Sequence, residues 1–115
     1  MKEVITTYNY ELDKSDMRGA IAGFPDQIKQ SFSIMKKWTP QNEYSGIQQI
    51  MVLGMGGSAI GGDVARVMVQ ESCKIPILVN RSYNIPNWAD QNTLVLASSY
   101  SGNTEETLSA FSKCR

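Results

Sequence analysis

Two hydrophobic periods alternate along this chain. After a polar opening, "MKEVITTYNYELDKSD", the segment from Asp13 to Ala22 reads as a short helix broken at Gly23. Pro25 suits the first position of a second helix, in which Ile28, Phe32 and Met35 recur at i, i+4 and i+7; it ends near Trp38, ahead of Thr39-Pro40. "QNEYSG" is a loop, and the near-continuous apolar run from Ile47 to Leu53 has the length and pattern of a strand buried on both faces. A helix follows with Ile60, Val64, Val67 and Met68 at i, i+4, i+7 and i+8. Ile75 to Val79 is a second strand, placed at an edge by Pro76, which has no N–H for a ladder. The polar "NRSYNIPNWADQ" reads as a loop or short helical turn, and Thr93 to Ala97 as a third strand. "SSYSGNTEET" then leads into a last helix carrying Leu108, Phe111 and Cys114.

Strands alternating with helices imply right-handed crossovers and a parallel sheet covered on both faces, so the expected fold is α/β, a three-layer α/β/α sandwich. The 115 residues suffice for one small core, and no internal repeat divides them. Doubly wound domains have five or six strands, whereas three are visible here, and the last helical segment reaches Cys114-Arg115 without a cap signal. The sequence therefore reads as the first part of something longer, truncated after its third strand and the helix that follows.

Composition narrows the function. Basic and acidic residues balance at 11 each, which gives no stripe for nucleic acid and no acidic tail; the expected partner is a small molecule. The absence of histidine removes the commonest general acid/base and metal ligand. Cys73 and Cys114 lack a CxxC or metal spacing and read as reduced structural thiols. No apolar stretch approaches the ~20 residues of a membrane span, and the polar opening has no signal-peptide core. These features read as a soluble cytosolic chain.

Two strand-to-helix turns carry the candidate chemistry, and ligands of open α/β sheets bind at such turns. The first, "GMGGSAIGGD" from Gly54 to Asp63, holds five glycines in ten residues, although each helical Gly costs about 1 kcal/mol against Ala. Gly56 and Gly57 let backbone N–H groups approach an anion, a helix starting near Ser58 adds its dipole, and the Ser58 hydroxyl can donate. Gly61 and Gly62, read as first-turn residues, would keep the approach clear; a ligand and tight helix packing are both compatible with the glycines. The second turn, Ser98 to Thr104, brings further hydroxyls to a helix start. Asn103 as N-cap with Glu106 three residues on fits a capping box, but capping leaves Ser99, Ser101 and Thr104 unexplained. "GMGGSA" also fits the dinucleotide pattern G-x-G-x-x-A, yet the acidic residue expected after the second strand is replaced by Asn80-Arg81, and only a reader of an NADP 2′-phosphate would want Arg81. No G-K-[ST] is present.

"GMGGSAIGGD" followed by "SSYSGNTEET" resembles the sugar isomerase (SIS) domain, most closely that of the bifunctional phosphoglucose/phosphomannose isomerases, and "DKSDMRGAIAGFPDQI" is similar to that family's helical N-terminal leader. The resemblance implies a leader over residues 1–40 and an incomplete SIS domain over 41–115, with flavodoxin-like strand order 2-1-3-4-5 and both loops at the switch point. It further implies that Gly57, Ser58, Ser99, Ser101 and Thr104 hold the 6-phosphate of a hexose in a homodimeric enzyme. Its chemistry would be aldose–ketose isomerisation through an enediol, without metal or cofactor. The family's base is a glutamate in its second SIS domain, assisted by a histidine, a lysine and an arginine, and none of those positions falls within this chain. Glu105 and Glu106 are read as dipole complements with no catalytic role. A non-catalytic sugar-phosphate-binding regulatory module and, behind it, an NADP-binding fragment are the alternative readings.

Overall fold

The computed structural model describes residues 11–114. The polar opening, read above as lacking a signal peptide, lies outside them through Tyr10, as does Arg115. Two compact units divide the chain, Met1–Glu43 and Tyr44–Arg115.

In the first unit, α1 (Met17–Ala22) is followed directly by α2 (Phe24–Met35). The helix begins later than the expected Asp13 because two carboxylates gather its free N–H groups. Asp13 accepts from Met17 N at 2.7 Å and Arg18 N at 3.0 Å, and Asp16, the N-cap at φ 49°, accepts from Gly19 N at 3.1 Å. Gly23 closes α1 and opens α2, where Pro25 takes the second position. α2 ends at Met35; the C-cap Lys36 N still donates to Phe32 O, and the N–H groups of Lys37 and Trp38 then make i−3 bonds. Ile28, Phe32 and Met35 are exposed within this unit.

The second unit is an α/β structure. β1 (Gln49–Leu53), β2 (Ile77–Asn80) and β3 (Thr93–Ala97) form a three-stranded parallel sheet in the order β2-β1-β3. The expected adjacency of the first and third strands and the edge position of the second are both observed. β2 begins two residues later than the periodicity suggested; Pro76 stays outside it but offers its carbonyl to Ile50 N at 2.9 Å. Central β1 has Met51, Val52 and Leu53 buried, as a strand covered on both faces must be. Strand alternation divides them: Val52 faces the helix α3 (Gly56–Val69), while Met51 and Leu53 pack with Ala110 of α4 (Glu105–Ser112). Ile85, Ala89, Val95 and Cys114 complete that second cluster, and burial pushes the Cys114 thiol pKa up.

The helices bury different faces from those the apolar periodicity marks. In α3 the buried residues are Ala59 and Gly62, while Ile60, Val64, Val67 and Met68 stand 52–77% exposed. A Cβ on Gly62 would lie 3.0 Å from Val52 Cγ1 and 3.2 Å from Val79 Cγ2, so this glycine lets the helix axis settle against the sheet. In α4 the buried residues are Thr107 and Ala110; Leu108 and Phe111 are exposed. α4 also closes at Ser112 with Lys113 as C-cap, before the end of the described residues.

Candidate functional site

Both candidate loops leave the C-terminal ends of neighbouring strands, β1 and β3, and enter α3 and α4 at their N-termini. Two backbone bonds extend the sheet into them: Gly54 N donates to Asn80 O at 3.2 Å and Ser98 N to Leu53 O at 2.8 Å. The loops meet closely there. A Cβ on Gly54 would lie 3.1 Å from Ser98 O and 3.2 Å from Ala59 N, so no larger residue fits without displacing backbone.

α3 starts at Gly56, two residues before the expected Ser58, with Met55 as an extended N-cap that provides no side-chain hydrogen bond. Gly56 takes φ +49°, a left-handed conformation suited to glycine, and a Cβ on Gly57 would meet nothing within 4 Å. This open backbone, at the end of the helix where N–H groups lack intrahelical acceptors, is a surface an anion can approach. Gly61 and Gly62 lie beyond it. Gly62 serves helix–sheet packing, not access to the loop, and Gly61 faces open space.

Around the second loop the hydroxyls form a connected set. Ser99 Oγ lies 3.0 Å from Thr104 Oγ1, Ser101 Oγ lies 3.4 Å from the same atom, and the two serine oxygens accept from Gly102 N (3.1 Å) and Asn103 N (3.2 Å). Gly102 makes the turn at φ +71°. The capping box expected of Asn103 and Glu106 is not formed: Thr104 is the N-cap, extended at ψ 113°, and no side chain caps α4. The reason lies in the loop. The Thr104 hydroxyl is held among the two serines, and Asn103 sits one residue too early, its N–H turned to Ser101.

Ser58 of the first loop accepts from the backbone N–H of Tyr100 in the second at 3.4 Å, a bridge no sequence signal announced because its donor is main chain. Ser99, Ser101 and Thr104 are thus linked within the second loop, Ser58 is tied to that loop's backbone at Tyr100, and Gly57 lies beside Ser58 at the start of α3. Arg81 is engaged elsewhere. Its guanidinium pairs with the Asp63 carboxylate on α3, which Arg66 also approaches at 3.9 Å. This accounts for Arg81 without a 2′-phosphate. Beyond β2, no motif marks Tyr83, yet its carbonyl accepts from Ser109 Oγ at 3.2 Å and from Lys113 Nζ at 2.9 Å, and the Glu106 carboxylate first, then desolvation and Glu105, push its phenol pKa up. Among the described residues no group of three or more His, Cys, Asp or Glu is arranged to hold a metal, and no helix is long and apolar enough to cross a membrane.

Curated relatives match most of the chain. It is 48% identical over 92 residues to the bifunctional phosphoglucose/phosphomannose isomerase of Caldicellulosiruptor bescii, covering 80% of this chain and 27% of that protein. The protein of the same name from Aquifex aeolicus is 41% identical over 92 residues, 79% of this chain and 27% of its own length. That from Thermoplasma acidophilum is 49% identical over 61 residues, 53% of this chain and 19% of its own. The chain belongs to the bifunctional phosphoglucose/phosphomannose isomerase family. It spans about a quarter of the length of the family members that it matches over 92 residues. No family model and no solved structure matches it.

Proposed function

We propose that the second unit holds the phosphate of a hexose 6-phosphate between its two loops, as the phosphate subsite of a sugar-phosphate isomerase that interconverts glucose 6-phosphate or mannose 6-phosphate with fructose 6-phosphate. One observation carries the reading: two helix N-termini without side-chain caps sit at adjacent strand ends, with three linked hydroxyls on the second loop and the Ser58 hydroxyl of the first bonded to that loop's backbone at Tyr100. In this reading Gly57 offers its backbone N–H, while Ser58, Ser99, Ser101 and Thr104 donate hydroxyl hydrogen bonds to the phosphate oxygens. Neutral donors and helix dipoles balance the dianion where neither loop has a Lys or Arg. Proton transfer between C1 and C2 needs a base that these residues do not provide, so binding and catalysis separate in this chain. The proposal extends to a leader over residues 1–40, an SIS domain beginning at residue 41, and a cytoplasmic homodimer; family resemblance supports these.

The test is calorimetry of the 115-residue chain with glucose 6-phosphate and fructose 6-phosphate, beside a coupled isomerase assay. Weak binding without turnover is expected. Ser101→Ala, which removes one hydrogen bond to a charged group worth about 1.5–3 kcal/mol, should weaken binding by about tenfold or more. Unchanged affinity in that variant overturns the pocket, and turnover by the chain alone overturns the separation of binding from catalysis.

A further inference from the structure

The glycine-rich segment that opens α3 is tied at both of its ends to one place in the sheet. At its start Gly54 N donates to Asn80 O at 3.2 Å, and at its finish the Asp63 carboxylate accepts from the Arg81 guanidinium. Asn80 is the last residue of β2 and Arg81 is the next, so consecutive residues of one strand end hold both ties. Between them lie Gly56, Gly57 and Ser58, and the Ser58 hydroxyl reaches the Tyr100 amide of the second loop at 3.4 Å.

The second tie matters because of the way α3 meets the sheet. Its buried residues are Ala59 and Gly62, which have no long side chain to key between the strands, while its large apolar residues are exposed. So small a face sets how close the helix lies and resists its turning or sliding only weakly. A directional bond from the flank of the helix supplies that resistance. Among the described residues the Asp63–Arg81 pair is the side-chain bond that joins α3 to the end of β2; the other cation near Asp63, Arg66 at 3.9 Å, stands on α3 itself and cannot hold helix to sheet. The pair is partly exposed and adds little to global stability, so its effect is on geometry. We propose that Arg81 is a positioning residue for the phosphate pocket: through Asp63 it sets the turn of α3 about its own axis, and with it the aim of the Gly57 N–H and the Ser58 hydroxyl. The inference rests on the phosphate reading above. Arg81 acts on Asp63, not on the anion.

Calorimetry with inorganic phosphate on the full chain, well below its melting temperature, compares wild type with R81Q, D63N, the R81Q/D63N double variant and R81K. A through-space charge effect gives the two single variants opposite signs, since loss of Arg81 weakens the hold on an anion and loss of Asp63 strengthens it. Positioning gives them the same sign. R81Q and D63N should each raise Kd about fivefold, and the double variant should do no worse than the weaker of the two, because both remove one bond. R81K should stay within about twofold of wild type, its ammonium replacing the single guanidinium nitrogen that meets Asp63. An unchanged Kd in either single variant overturns the proposal, as do tighter binding by D63N, losses that add in the double variant, or R81K as weak as R81Q. A second readout needs no ligand: the NMR resonance of the Tyr100 amide, which reports the bond to Ser58, should move in R81Q and D63N and return in R81K, and a resonance that stays in place overturns the proposal. If that resonance moves as expected but the wild-type chain binds no phosphate, the phosphate reading fails and the positioning role fails with it, while the tie between Arg81 and α3 stands.

Discussion

Thr107 shows how a single residue can carry an unspent polar cost. It is 4% exposed on the sheet-facing side of α4, and its Oγ1 has no hydrogen-bond partner among the described residues. A buried unsatisfied hydroxyl costs about 1–3 kcal/mol, and replacing it by a methyl of the same shape removes that term. Thr107→Val should therefore keep or raise the melting temperature, since both residues are β-branched and helix propensity barely changes. A clear drop in a thermal melt would mean that the hydroxyl makes a bond which the fold depends on. At this scale the sequence is partly legible: Ser99, Ser101 and Thr104 stand out because capping leaves them unexplained, and Ser58 because its hydroxyl follows the paired glycines at a helix start. The Tyr100 amide that bonds Ser58 does not, since it is main chain.

At the scale of elements, α3 is the instructive case. Its large apolar residues follow the helical period, yet the face against the sheet is the small one, Ala59 and Gly62. Periodicity identifies a helix whichever way it is turned; a close helix–sheet approach selects the face with least bulk. The two adjacent glycines therefore have opposite sensitivities. Gly61→Ala, in open space, should stabilise by about 0.5–1 kcal/mol through helix propensity and a less free unfolded chain. Gly62→Val should destabilise by about 1–3 kcal/mol by overpacking Val52 and Val79. Paired denaturant titrations check this, and the same sign for both variants would refute the packing assigned to Gly62.

At the scale of the molecule, β3 pairs with β1 alone, and among the described residues its other edge carries no strand. Unpaired backbone groups on a strand edge template further pairing. Leu96 of β3 and Ile60, Val64, Val67 and Met68 of α3 add exposed apolar surface. Self-association at micromolar concentration is expected of the reduced chain and is read by sedimentation velocity; a stable monomer with one cooperative melt would show that these 115 residues close their own core.

Sequence alone determined the order of elements, the parallel pairing of three strands and the edge place of β2, because these follow from local periodicity, Pro chemistry and crossover handedness, while the strand order that puts both loops at the switch point came from the resemblance of their motifs to the SIS domain. Tertiary structure alone decided which face of α3 is buried, that Gly62 serves packing, that Thr104 and not Asn103 begins α4, and that Arg81 is paired with Asp63. The cap of α4 is settled by the serines of its own loop, but the other three depend on groups distant in the chain, Val52 and Val79 against Gly62 or Asp63 against Arg81, and such distances enter only when the helix has settled on the sheet.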